Sequence, residues 1–301
     1  MLSSSIESST PTLESASRML GKGEDFVMTG KGIQVDTETP FSFILVMDGH
    51  GGDSCINIIR SAPEEHIVHI VSQIDPVFAM TEFIRVHHSS YHFRSGATFS
   101  LVKMDAQFIR CYNVGDSKSA VFLDSQLTYL TRGHTIDDPN ERSRLDALFG
   151  HRYTVNKSHT IQVYSPTAIH MKPNSYILTP KKLNLAMTQS MGHHDELGYN
   201  PEVCEIQFLP NQRVDFIVGS DGLWDMINLD LSADALVFHT GTAEEIVDYA
   251  AGRWKQEWIQ VNSKGATFVG HEAPLRLPEF DDICVGVLRV REPDGSLTNP
   301  P

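Results

Sequence analysis

The sequence is poor in cysteine and in basic residues, and it holds no long apolar run. Four of its 301 residues are cysteine, at positions 55, 111, 204 and 284, and none forms the C-x-x-C pair that zinc sites use or the close spacing of a disulfide framework. Cys55, Cys111 and Cys284 have apolar neighbours and read as buried, reduced thiols. Lysine and arginine total 24 against 38 aspartates and glutamates, a formal net charge of −14. A chain this acidic is repelled by phosphate backbones and anionic lipid, which argues against nucleic acid and membrane surfaces as partners. No stretch reaches the roughly 18–20 apolar residues of a membrane span. The opening MLSSSIESSTPTLESASR has neither an early basic residue nor an apolar core, so no secretory signal is expected, and Leu2 stands where myristoylation needs glycine. The expectation is a soluble intracellular monomer, cytoplasmic or nuclear.

β-branched apolar runs are abundant. FSFILVM (41–47), ATFSLVKM (97–104), QFIRCYNV (107–114), SAVFL (119–123), VDFIVGS (214–220) and ICVGVLRV (283–290) are short, punctuated by Gly and Asp, and predict strands. Helical spacing is scarcer. In 54–74, Ile56, Ile59, Ile67, Ile70, Val71 and Ile74 recur at helical intervals, with Pro63 starting a second segment. In 242–258, Thr242 and Glu245 make a capping box ahead of Ile246, Ala250, Trp254 and Trp258. Helices set among closely connected strands predict an α+β fold of antiparallel sheets covered by helices. Residues 1–17, rich in Ser and Thr, read as a flexible tail of which part can pair with a sheet edge. Residues 262–280 read as a loop insertion.

The aspartates sit at the ends of these strands. FSFILVM runs into Asp48-Gly49-His50-Gly51-Gly52, VDFIVGS into Asp221-Gly222-Leu223-Trp224-Asp225, and FIRCYNVG into Asp116-Ser117, whereas Asp281 and Asp282 precede ICVGVLRV. If that last strand runs antiparallel to the others, all these carboxylates gather on one edge, and Glu24-Asp25 before FVM joins them. Carboxylates about 4 Å apart repel by roughly 4 kcal/mol per pair at an effective dielectric near 20, so such a cluster must hold cations or protons. An oxygen-only donor set favours Mg²⁺ or Mn²⁺. The glycines around His50 let backbone approach an ion, and the imidazole is placed to give a proton to a leaving oxygen. Elsewhere, GKG at 21–23 and 30–32 completes no phosphate loop and reads as turns. His87-His88 and His193-His194 read as solvated or structural, and Trp254 and Trp258 as helix-face packing.

GEDF (23–26), VMDGHGG (46–52), SGAT (95–98), NVGDS (113–117), TRGHT (131–135), SDGLWD (220–225) and DDICV (281–285) occur in the order seen in the metal-dependent protein phosphatases, the PPM or type 2C family, which this chain resembles over about 18–290. The resemblance implies a four-layer αββα sandwich, a single domain over 18–292 with a flap-like region at 150–190, and a tail at 293–301. It implies a centre of two divalent ions with Asp48 bridging both, Asp221 and Asp281 on one, Glu24 and the Gly49 carbonyl facing the other, and Asp25 orienting bound water. Asp116 and Asp225 match a third ion site of some members, and His50 matches the general acid. The implied activity is direct in-line hydrolysis of phosphoserine and phosphothreonine in phosphoprotein substrates. The chain departs from the family at Leu20, where many members carry a phosphate-binding Arg; Lys22 or Arg18 can take that role. It departs again at Gln189-Ser190-Met191-Gly192-His193, in place of Arg-Ser-x-Gly-Asp. A pseudophosphatase acting as a regulatory binding module, or a phosphatase of small molecules, are the other readings.

Overall fold

The computed structural model describes residues 11–20, 23–87, 94–165, 168–230, 232–255, 259–261, 267–269 and 281–290. Two antiparallel sheets lie face to face. One has the order β1 (Thr12–Arg18), β17 (Ile283–Val290), β14 (Val214–Gly219), β7 (Lys118–Leu123), β8 (Gln126–Leu130). The other has the order β12 (Met191–Gly192), β4 (Gly96–Ala97), β3 (Pro40–His50), β5 (Phe99–Met104), β6 (Phe108–Val114), β13 (Glu202–Gln207), and β2 (Asp25–Ile33) also pairs with β3.

The two-residue period of β3 explains the layering. Phe41, Phe43, Leu45 and Met47 face the helices α1 (Ser54–Ser61), α2 (Glu64–Val71) and α3 (Pro76–His87). Ile44 and Val46 face the other way, onto Val121, Phe216, Val218, Cys284 and Leu288 of the first sheet. The outer face of that sheet, with Ile217, Ile283, Val285 and Val287, is buried under α5 (Asp221–Trp224), α6 (Ser232–Thr240) and α7 (Ala243–Trp254). The result is the expected helix–sheet–sheet–helix stack. Pro63 precedes α2, and the capping box of α7 forms: Thr242 Oγ1 accepts from the Glu245 N–H at 3.2 Å and Glu245 Oε2 from the Thr242 N–H at 2.7 Å. Cys55, Cys111 and Cys284 are buried and free.

Part of the N-terminal stretch pairs with a sheet edge, as expected: residues 12–18 are a strand opposite Arg289 to Ile283 of β17. Other segments differ from expectation. The glycines at 30 and 32 lie inside β2 rather than in a turn. Region 150–190 holds a long hairpin, β9 (Thr154–Ser165) with β10 (Ala168–Leu178). With β11 (Asn184–Leu185), β15 (Ile259–Val261) and β16 (Thr267–Val269) it forms a third sheet, so 267–269 of the expected loop is a strand and the rest of 262–280 lies outside the described residues. α3 and α4 (Pro139–Phe149) were not expected. Trp258 and His88 lie outside the described residues. Among the described residues no helix is long and apolar enough to cross a membrane.

Candidate metal centre

Strand parity decides which aspartates meet. Asp48 shares the face of Ile44 and Val46, so it lies between the sheets, only 7% exposed. Asp25 stands directly opposite it on β2. β17 runs antiparallel to β14, as the sequence reading required, which brings Asp281 and Asp282 at its start beside Ser220 and Asp221 at the end of β14. Backbone bonds tie the edge together. Thr98 Oγ1 accepts from the Asp48 N–H at 2.9 Å, and the Thr98 N–H donates to the Asp48 carbonyl at 2.8 Å. The Gly49 N–H donates to the Glu24 carbonyl at 3.0 Å, and the Glu24 N–H to Asp282 Oδ2 at 2.9 Å. Between the sheets, Ser220 Oγ donates to Asp25 Oδ2 at 2.7 Å, and Thr98 Oγ1 pairs with Ser117 Oγ at 2.7 Å. Gly49 is required by packing: a Cβ there would stand 2.4 Å from Ile56 and 2.8 Å from the Glu24 carbonyl.

The edge is electrostatically incomplete. Burial pushes the Asp25 carboxyl up to about 7; Asp221 and Asp282 push the same way against the Ser220 hydroxyl. Asp48 is held well above the usual carboxylate range by burial, by Asp221, Asp25 and Asp281, and by a hydrogen bond to Asp221 that favours its protonated form. Asp221 Oδ1 is buried without a hydrogen-bond partner among the described residues. These oxygen donors suit a hard divalent cation. Among the described residues no three His, Cys, Asp or Glu side chains converge as a ready-made ligand cage.

The other predicted residues divide. Glu24 is buried at this edge. Asp116 sits on the β6–β7 turn, where the Gly115 N–H donates to His134 Nδ1 at 3.0 Å. Trp224 Nε1 donates to the Lys118 carbonyl at 3.0 Å, so α5 touches the stretch that follows Asp116, and the Asp225 N–H donates to the Asp221 carbonyl at 2.7 Å. Arg18 is not brought to the edge: it shares the face of Ala16 toward the helices, pairing with Glu244 and with Asp248, the latter at 2.8 Å. Leu20 packs on the same helical cluster. Lys22 lies outside the described residues. Asp282, expected at this edge together with Asp281, accepts from the Glu24 N–H there. His193, read as solvated or structural and as a departure from the family pattern, is buried against His50.

A sequence model described as Protein phosphatase 2C matches residues 14–250. The chain belongs to the protein phosphatase 2C family. It is 24% identical over 235 residues to "Probable protein phosphatase 2C 5" of Arabidopsis thaliana, 71% of this chain and 51% of that one. The chain thus spans about half the length of that relative. Its fold matches the serine-threonine phosphatase 2C of Toxoplasma gondii with a TM-score of 0.59 at 15% identity, covering 93% of this chain and 94% of that one. It also matches the serine/threonine phosphatase PstP/Ppp of Mycobacterium tuberculosis with a TM-score of 0.54 at 14% identity, covering 93% of this chain and 99% of that one, and a PstP catalytic domain in complex with two manganese ions with a TM-score of 0.51 at 14% identity, covering 93% and 99%.

Proposed function

We propose that the chain is a metal-dependent phosphatase of phosphoserine and phosphothreonine in proteins, working with two Mg²⁺ or Mn²⁺ ions. The observation that carries this reading is the burial of the Asp48 carboxyl opposite Asp25 and among Asp221 and Asp281, which together hold it well above the usual carboxylate range. Asp48, Asp221, Asp281, Glu24 and the Gly49 carbonyl would hold the two ions, and Asp116 with Asp225 a third. When bound, the ions lower the pKa of water and offset charge on the phosphoryl group. The rest falls to the protein's own groups. Thr98 fixes the backbone of Asp48 from both sides. Asp25, titrating close to neutrality, exchanges hydrogen bonds with water at the edge. His50 delivers a proton to the departing serine or threonine oxygen, the poor leaving group that most needs one.

The placement of Arg18 and Leu20 favours a second reading, a regulatory binding module without turnover, because neither supplies a phosphate-holding cation. Phosphate release from a phosphothreonine peptide separates the two. We expect release with Mn²⁺ or Mg²⁺, none with EDTA, and at least a ~100-fold loss in Asp221→Asn with the fold retained. Wild-type activity in Asp221→Asn would refute the metal assignment. No release by folded wild-type protein with either ion would favour the binding module. Stronger turnover of small phosphate esters than of phosphopeptides would point to a small-molecule substrate.

A further inference from the structure

Two imidazoles meet beside the carboxylate edge although 143 residues separate them. His50 ends β3, and His193 follows β12 at the start of a 3₁₀ turn, His193–Asp195. His193 Nε2 lies 3.0 Å from His50 Nδ1, and the rings stack with centroids 4.8 Å apart and planes 25° apart. The His193 ring is fully buried. Its backbone is in the left-handed region, φ 49°, fixed by its N–H donating to the Ser95 carbonyl at 3.0 Å and its carbonyl accepting from the Glu196 N–H at 3.2 Å. Gly96, paired with both His50 and Gly192, makes the space: a Cβ there would lie 2.5 Å from His193 Nε2. Backbone, glycine and ring stacking all hold one nitrogen of His193 against one nitrogen of His50.

We propose that His193 is a positioning residue for His50: its Nε2 accepts a hydrogen bond from His50 Nδ1–H and so aims His50 Nε2 at the substrate's leaving oxygen. This rests on the phosphatase reading above. An imidazole that gives up a proton from Nε2 keeps its remaining proton on Nδ1, and here that N–H has His193 Nε2 directly before it. The hydrogen bond fixes both ring plane and tautomer. The proton released at Nε2 passes to the leaving alkoxide, completing the alcohol, and His193 neither gains nor loses one. An imidazole does this without adding negative charge to an edge already crowded by Asp25, Asp48, Asp221, Asp281 and Asp282.

The test uses the full chain and two variants. His193→Phe keeps a stacking ring and removes the acceptor; His193→Gln returns an acceptor at similar reach. Long-range ¹H–¹⁵N spectra of the imidazoles, taken without metal, should show neutral His50 protonated on Nδ1 in wild type and in His193→Gln, and a mixture of tautomers in His193→Phe. With Mn²⁺, His193→Phe should lower kcat on a phosphothreonine peptide about 10-fold or more, and on p-nitrophenyl phosphate, whose leaving group needs no proton, less than about 2-fold. KM should stay the same, and His193→Gln should recover most of the loss. A proton on His50 Nε2 in wild type, or equal kcat losses on both esters, overturns the proposal. If wild type releases no phosphate from either ester, the phosphatase reading fails by itself, and the His50 tautomer still decides the hydrogen bond.

Discussion

Two buried aspartates in this fold are treated in opposite ways. Asp234, on α6, is wholly buried and fully answered: it accepts from Arg253 Nη1 at 2.6 Å, from Arg253 Nη2, from Tyr249 Oη at 2.9 Å and from the Asn228 N–H at 2.7 Å. Asp48 is nearly as buried, yet its main electrostatic neighbours are Asp221, Asp25 and Asp281. A carboxylate enclosed by a guanidinium fork and neutral donors is finished architecture, because its charge is compensated within the chain. A carboxylate buried among others has a charge that only protons or an external cation can balance. The contrast separates a buried charge that holds helices together from one left open to a proton or a cation.

The largest effect is expected at the closed site. Arg253→Met strands the Asp234 charge and should lower the unfolding free energy by about 3–5 kcal/mol in urea titrations. Asp48→Asn should do the opposite in metal-free protein, adding about 1 kcal/mol by removing one of the opposed charges, while turnover disappears. Equal destabilisation by the two substitutions would erase the contrast.

A smaller effect follows from pH. The Asp25 carboxyl is raised to about 7, above its unfolded value near 4. Its contribution is therefore fully present below about pH 4 and lost as the pH climbs through 7. Metal-free protein should melt a few degrees lower at pH 8 than at pH 5, and Mn²⁺ should narrow that gap. Thermal melts across this range, with Asp25→Asn as the control that flattens the slope, check the sign. The smallest effect is expected at Arg18, which is engaged with α7: Arg18→Ala should change KM by less than ~2-fold in steady-state assays.

Most of the architecture was legible because it is written in apolar periodicity. β3, β5, β6, β7, β14 and β17 carry their burial in their side chains, and α7 carries its start in Thr242 and Glu245. Elements held by other means were hidden. β1 buries little beyond Ala16 and owes its place to pairing with β17. α4 buries only Glu141, Leu145 and Phe149, too sparse a stripe to read. The paired hydroxyls of Thr98 and Ser117 and the stacked His50 and His193 join residues far apart in sequence, and local pattern carries no trace of such meetings. The aspartates were legible because they stand at strand ends, Asp48 close to the end of β3, Asp116 and Asp221 after their strands, and Asp281 and Asp282 before β17. The parity of β17 adds that Asp282 falls with Cys284 between the sheets.

The central claim, that the Asp48 edge is a charge awaiting cations, is tested most directly by titrating Mn²⁺ calorimetrically into metal-free wild-type protein and Asp48→Asn. Wild type should bind two ions or more with release of protons, and the variant should lose at least one of them. No binding at millimolar Mn²⁺, or the same binding in the variant, would contradict it.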